Sequence, residues 1–136
     1  MAHRLNVLVC SGASCISNNS LKVKEAMLAE IERLGLNKEI KVIETGCMGP
    51  CQLGPVILVY PDETLYKKVQ VEDVREIVEQ HFLKGRPVER LMYKSPLTDE
   101  LVHKSSEVDY FQKQYKIVLA NCGNIDPESM EEYIAV

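Results

Sequence analysis

The sequence has little of what several functional classes require. Its 136 residues include no tryptophan and only three histidines. No apolar run approaches the ~18–20 residues that a membrane-spanning helix needs. Its 16 basic residues against 20 acidic ones leave a net charge of −4, so the basic surface typical of nucleic-acid-binding proteins is lacking. These absences argue against membrane insertion and against a nucleic-acid partner.

Familiar catalytic and nucleotide-binding motifs are also missing. The chain has no G-x-G-x-x-G fingerprint, no P-loop and no readable Ser–His–Asp set. The apolar run from Leu5 to Val9 is too short for a secretory signal, which needs about 7–15 residues. We therefore expect a cytoplasmic chain without a small-molecule substrate of its own. In the cytosol thiols stay reduced, and grouped cysteines there indicate metal or redox chemistry.

Hydrophobic patterning predicts alternating strands and helices over the first part of the chain. Residues 18–20 offer side chains that can cap the first long helix, and Gly35 is expected to end it. The first two strands should pair in parallel through a right-handed crossover, and the last two should form a hairpin. This order predicts an α/β fold of thioredoxin-like architecture, a four-stranded mixed sheet with two helices, plus a C-terminal extension. The predicted strands are 5–9, 39–44, 56–60 and 65–69, and the predicted helices are 20–34 and 71–83.

Four of the five cysteines form two closely spaced pairs. Cys10 and Cys15 have C-x4-C spacing, and Cys47 and Cys51 have C-x3-C spacing. Both pairs fall in predicted loops, and both loops follow strand C-terminal ends if the first two strands are parallel. Four thiolates can then converge on one point. Such a set matches either a 2Fe–2S cluster or a four-cysteine zinc site.

The spacing leaves zinc open, because structural zinc sites use C-x2–4-C pairs. A C-x-x-C redox motif is absent, which argues against thiol–disulfide exchange. Residues around the cysteines favour iron–sulfur, since glycines let backbone N–H groups approach sulfur and serine hydroxyls can donate to it. Four merely structural cysteines explain the paired spacing less well. The expected donors are Ser11, Gly12, Ser14, Gly46, Gly49 and Gly54.

These motifs resemble the thioredoxin-like 2Fe–2S ferredoxin domain of complex I and of bacterial electron-bifurcating and NAD(P)-linked iron hydrogenases. In that family the domain lies beside the flavoprotein subunit or is fused to its N-terminus. The resemblance implies that the four paired cysteines hold a 2Fe–2S cluster that relays single electrons. It covers about residues 5–91 and rests on the two cysteine pairs and on the segments 46–51, 54–62, 71–78 and 85–91.

The later part of the chain is interpreted as an extension. We assign residues 1–84 to the ferredoxin domain, 85–114 to a linker and 115–136 to a segment that looks like the opening of the flavoprotein subunit. In the last segment we expect a strand at Tyr115 to Ala120, and then a helix capped by Asp126.

By this resemblance the chain is the N-terminal piece of a hydrogenase or NADH dehydrogenase flavoprotein subunit, an oxidoreductase fragment without a complete active site. Its expected partners are the other iron–sulfur and flavin subunits of the complex. FMN, NAD(P) and 4Fe–4S clusters are expected only in the remainder or in those partners. Cys122 lies outside the ligand spacing and is interpreted as an ordinary thiol.

Two alternatives stay open from the sequence. One is a freestanding thioredoxin-like ferredoxin, for which residues 95–136 should be dispensable. The other is a zinc-stabilised docking module without a redox role.

Overall fold

The computed structural model describes residues 3–46, 51–95, 100–108, 112–118, 120–121, 125–126 and 128–136, with the backbone alone for Cys51. Cys47 and Cys122 therefore lie outside the described residues, as does the predicted donor Gly49. Within these ranges no helix is both long and apolar enough to cross a bilayer.

A four-stranded mixed sheet forms the centre of the fold. Strand β1 pairs in parallel with β2, with Leu5 opposite Ile40 and Cys10 opposite Thr45. On its other side β1 pairs antiparallel with β3, which in turn pairs antiparallel with β4. The predicted parallel pair and terminal hairpin are both confirmed. The strands are β1 (Leu5–Cys10), β2 (Ile40–Thr45), β3 (Ile57–Tyr60) and β4 (Thr64–Tyr66), in the sheet order β2-β1-β3-β4.

Two helices cover one face of the sheet. The long helix α2 (Ser20–Arg33) buries Val23, Met27 and Ile31, which repeat at the helical period. It ends beside Gly35, whose φ of +69° is the predicted left-handed conformation. Helix α3 (Val71–Ile77) continues into a π-helical turn at Val78–Leu83. The residues that these helical segments bury in the same core are Val74, Ile77, Val78 and Phe82.

The segment that directly follows β1 differs from the prediction. Residues expected in a small-residue loop form a short helix, α1 (Ala13–Ser17). The turn from α1 to α2 places Asn19 at a φ of +69°, and no side chain caps α2. Asn18 instead donates from its side chain to the Ser14 carbonyl, at 2.9 Å. The predicted side-chain cap is wrong because the tight turn between two helices requires a left-handed residue where the cap would lie.

The segment that follows α3 packs against both sides of the sheet. Met92 belongs to the helical-side core and bridges Tyr66 in antiparallel fashion, beyond the edge of the four-stranded sheet. Val102 and Val108 are instead buried on the other face. Residues 88–95 and 100–108, which we assign to a linker, therefore contact the domain. The apolar cluster on this face contains Leu8, Cys10, Cys15, Ile43, Val56, Leu58, Leu65, Val102 and Val108.

A final helix, α4 (Met130–Ala135), follows near the end of the chain. Its cap is Ser129, whose hydroxyl accepts from the Glu132 N–H at 3.3 Å, and not Asp126 as predicted. Asp126 and Glu132 instead contact β2, where Lys41 Nζ lies 3.3 Å from Asp126 Oδ2 and 2.6 Å from Glu132 Oε1. The described residues of the predicted strand, 115–118 and 120, form no strand. They are largely exposed.

A buried polar chain connects β4 to the segment beyond α3. The Val88 N–H donates to Tyr66 Oη at 3.0 Å, and Tyr66 Oη lies 2.7 Å from His81 Nδ1. His81 Nε2 lies 3.1 Å from Asp62 Oδ2. The consistent assignment has Tyr66 donating to Nδ1 and Nε2–H donating to the carboxylate. Burial raises the pKa of Tyr66 above its ordinary value of 10.0, so the phenol keeps its proton.

We expect Tyr66→Phe to destabilise the protein by about 1–3 kcal/mol, because the Val88 N–H and His81 Nδ1 lose their buried partner. Thermal unfolding and hydrogen exchange at the Val88 amide measure the effect. Tyr133→Phe is the matched control, since Tyr133 is 70% exposed. Wild-type exchange at Val88 in Tyr66→Phe would contradict the assigned chain of hydrogen bonds.

The contact between α4 and β2 should depend on pH. The hydrogen bond from Lys41 lowers the pKa of Glu132 below its ordinary 4.5, and the same bond raises the pKa of Lys41 above 10.5. The contact should therefore be complete at every pH between 4.5 and 10.5, the ordinary pKa values of the two groups. It should weaken as the pH falls through the lowered pKa of Glu132 or rises through the raised pKa of Lys41.

NMR shifts of the α4 amides across an acid titration measure this loss. In Lys41→Met the α4 amide shifts at neutral pH should already equal those that the wild-type protein reaches only in acid. Lys38→Met, which removes an exposed lysine nearby, should leave the α4 shifts unchanged. If Lys41→Met keeps the wild-type shifts, these ion pairs do not hold α4.

Candidate functional site

The first predicted ligand, Cys10, ends the central strand β1 and is 2% exposed. Its N–H donates to the Val56 carbonyl at 3.1 Å, and its Sγ lies 3.7 Å from the Gly46 carbonyl oxygen. The next residue, Ser11, donates from its N–H to Thr45 O at 2.9 Å. Cys10 thus contacts both the beginning and the end of the connection between β2 and β3.

This arrangement follows from the strand order. β2 and β3 lie on opposite sides of β1, with Thr45 opposite Cys10 and Ile57 opposite Val9. The connection from β2 to β3 must therefore cross the C-terminal end of β1. Cys47 and Cys51 both belong to this connection. The two described ends of the connection that carries the second cysteine pair therefore lie at the end of the strand that carries Cys10.

The second predicted ligand, Cys15, lies in α1 and is 1% exposed. The helix begins directly after Gly12, whose carbonyl accepts from the Ile16 N–H at 2.9 Å. Cys10 and Cys15 are part of the same apolar cluster. The first cysteine pair is therefore buried at one end of the sheet, with apolar side chains around it.

The return half of the connection is held by backbone hydrogen bonds. A 3-10 turn at Cys51–Leu53 precedes a cis Gly54–Pro55 peptide bond. The Lys68 N–H donates to Leu53 O at 2.8 Å, and the Val69 N–H donates to Pro55 O at 3.2 Å. The backbone at Cys51 is thereby tied to the segment that follows β4, on the opposite side of β3 from β1.

The predicted sulfur donors differ in what they contact. Ser11 donates from its hydroxyl to the Thr45 carbonyl, so that proton is not available to sulfur as predicted. A Cβ added to Gly46 would meet no heavy atom of the described residues within 4 Å.

Cys10 and Cys15 are buried at one end of the sheet, and in sequence Cys47 and Cys51 belong to the connection whose two ends bond to the backbone there. This arrangement fits the donor set of a four-thiolate group. The sequence analysis missed Val102 and Val108, which line the cysteine-bearing face. The available signal was weak, since each is an isolated apolar residue in a polar stretch. The set of four ligands itself stays a prediction, because Cys47 and the Cys51 side chain lie outside the described part of the chain.

Comparison with known proteins gives the cofactor. The family model described as thioredoxin-like [2Fe-2S] ferredoxin matches residues 2–81. A 2Fe–2S ferredoxin of Clostridium pasteurianum is 42% identical over 77 residues, which are 57% of this chain and 76% of that protein. A 2Fe–2S ferredoxin of Aquifex aeolicus is 44% identical over 80 residues, 58% of this chain and 72% of that protein.

Solved structures agree with this match. A thioredoxin-like [2Fe-2S] ferredoxin from Aquifex aeolicus has a TM-score of 0.61 at 38% identity, and the match covers 66% of this chain and 90% of that chain. Two further structures are cysteine-to-serine variants of that ferredoxin, at positions four residues apart. The predicted thioredoxin-like fold and 2Fe–2S cofactor are confirmed, and iron–sulfur is favoured over zinc. The chain belongs to the family of thioredoxin-like [2Fe-2S] ferredoxins, which makes it a 2Fe–2S electron carrier.

Proposed function

We propose that Cys10, Cys15, Cys47 and Cys51 hold the 2Fe–2S cluster of this electron carrier. The observation that carries the proposal is that both ends of the β2–β3 connection, at Thr45 and Val56, accept hydrogen bonds from the backbone at the end of β1, where Cys10 lies. The separation of Cys47 and Cys51 also equals that of the two substituted positions in the Aquifex aeolicus variants.

When bound, a 2Fe–2S cluster supplies a one-electron couple whose potential depends on hydrogen bonds, charge and solvent exposure. The chain's own residues act on these three conditions. The buried positions of Cys10 and Cys15 keep water from the sheet side of the site. The contact of Cys10 Sγ with the Gly46 carbonyl and the hydrogen bond from the Cys10 N–H to the Val56 carbonyl hold the two ends of the β2–β3 connection in place.

For the larger context, we propose a relay module of a flavin-containing, NAD(P)H-linked oxidoreductase, either a hydrogenase or an NADH dehydrogenase complex. Its other iron–sulfur and flavin subunits would be the partners, and FMN, NAD(P) and 4Fe–4S clusters would bind there. We place the complex in the cytosol, where ligand thiols stay reduced before a cluster is assembled. Support comes from apolar side chains beyond the family match that are 70–94% exposed: Tyr115, Ile117, Val118, Met130, Tyr133 and Ile134.

A second candidate is a freestanding ferredoxin. It is favoured by the relatives from Clostridium pasteurianum and Aquifex aeolicus, both of which are described as 2Fe–2S ferredoxins. Both candidates share the same electron-carrying site, and they differ in what reduces it.

Single Cys→Ser variants test the four ligands. Each variant at Cys10, Cys15, Cys47 or Cys51 should lose iron or change the visible and EPR spectra, because a hydroxyl replaces a thiolate at the metal. Cys122→Ser is the matched control and should keep the wild-type spectra and iron content. Iron, sulfide and zinc are measured after anaerobic purification. A wild-type spectrum in any of the four variants would show that this cysteine is not a ligand. Zinc without iron in the wild-type protein would contradict its role as an electron carrier.

The context is tested on the native assembly isolated through this chain. NADH or NADPH should reduce its 2Fe–2S centre, as followed by EPR, and the assembly should contain FMN. A gene that continues into a flavoprotein sequence would agree. Isolation without flavin, with reduction only by an added low-potential reductant, would favour the freestanding ferredoxin.

A further inference from the structure

Residues 100–108, here called the covering segment, place Val102 and Val108 on the cysteine-bearing face of the sheet, while Leu101 packs against the helical-side core. Val102 is 8% exposed and Val108 is 0% exposed, and both belong to the apolar cluster that contains Cys10 and Cys15. The family match ends at residue 81, before this segment begins. We propose that the covering segment seals the sheet side of the cluster site from water, which slows the loss of iron and lowers the reduction potential.

The covering segment is attached at both ends of the β4 side of the sheet. The Val102 N–H donates to the Tyr93 carbonyl at 2.9 Å, directly after Leu101 bridges Lys94. The Ser105 N–H donates to the Glu63 carbonyl at 2.7 Å, in the turn between β3 and β4. These two attachments bracket the stretch between Val102 and Ser105, so the segment runs along the face.

The residues beneath the segment show what it shields. Leu8, Leu58 and Leu65 come from three adjacent strands and share the cluster with Val102 and Val108. Cys10 lies two residues beyond Leu8, on the same face of β1. One apolar cluster therefore contains both the valines of the covering segment and the cysteines at the end of β1. If the two valines became polar, water would gain access along this face.

Water access bears on a metal site in two ways. The apolar shell around a site controls solvent entry and the local dielectric, and through them the potential. Water also stabilises the more highly charged state, which for a thiolate-bound 2Fe–2S site is the reduced one. Exclusion of water by Val102 and Val108 therefore lowers the potential. It also means that a chelator reaches the site only when the covering segment opens locally.

The experiment compares Val→Thr variants in the cluster-loaded protein, since threonine keeps the shape of valine and adds a hydroxyl. Val102→Thr and Val108→Thr alter the covering segment. Val78→Thr alters an equally buried valine on the opposite, helical face. Val118→Thr alters a valine that is 94% exposed. Iron release to a chelator, the midpoint potential and the unfolding temperature are measured for each.

We expect Val102→Thr and Val108→Thr to release iron about tenfold faster, which corresponds to a free energy of opening that is lower by about 1.4 kcal/mol. We also expect both variants to raise the midpoint potential. Val78→Thr should lower the unfolding temperature without changing either quantity, and Val118→Thr should change none of the three. If iron release follows the unfolding temperature equally in Val78→Thr and Val108→Thr, the segment contributes only general stability and the proposal fails. If Val108→Thr does not fold, the same question is decided by comparing iron release and unfolding temperature in Val102→Thr and Val78→Thr.

This inference rests on the proposed four-cysteine site, and the two can fail separately. If both covering-segment variants release iron at the wild-type rate and keep the wild-type potential, the covering segment does not seal the site. The assignment of the four cysteine ligands would be unaffected. A Cys15→Ser variant with wild-type spectra would refute the site, and with it the role of the cover there.

Discussion

The central position of β1 is the constraint on which the rest of the structure depends. β1 pairs in parallel with β2 on one side and antiparallel with β3 on the other, so the chain between β2 and β3 has to pass over the end of β1. Cys10 is the last residue of that strand. One pattern of backbone hydrogen bonds therefore builds the sheet and also brings together the two segments that carry the paired cysteines.

The alternation of side chains along β1 divides the interior into two parts. Val7 and Val9 face α2 and α3, whereas Leu8 and Cys10 face the opposite side. The helical side carries most of the core and matches what a small α/β domain requires. The opposite side is covered by residues 100–108, beyond the family match. A domain with cysteines on this second face needs such a cover if their surroundings are to stay dry.

The sequence predicted the regular elements well because their patterns are local. The repeat of Val23, Met27 and Ile31 indicates one helix face, and short β-branched runs indicate the strands. The errors lie where local and tertiary preferences compete. Serine, glycine and alanine around Cys15 are typical of a loop, yet these residues form the short helix α1, which buries Cys15. Asn19 can cap a helix, but the turn between α1 and α2 requires it to adopt a left-handed conformation instead.

The cysteine spacing by itself predicted a four-thiolate site and left iron–sulfur and zinc both open, since two close pairs in glycine-containing loops are a property of the chain alone. The strand–helix–strand order predicted that both pairs follow strand ends, because a parallel strand pair follows from that order. Only the tertiary structure decided what surrounds them. The hydrogen bond from Ser105 to Glu63 joins residues far apart in sequence. No local pattern marks two isolated valines as buried, because their burial depends on which face of a distant sheet is left uncovered.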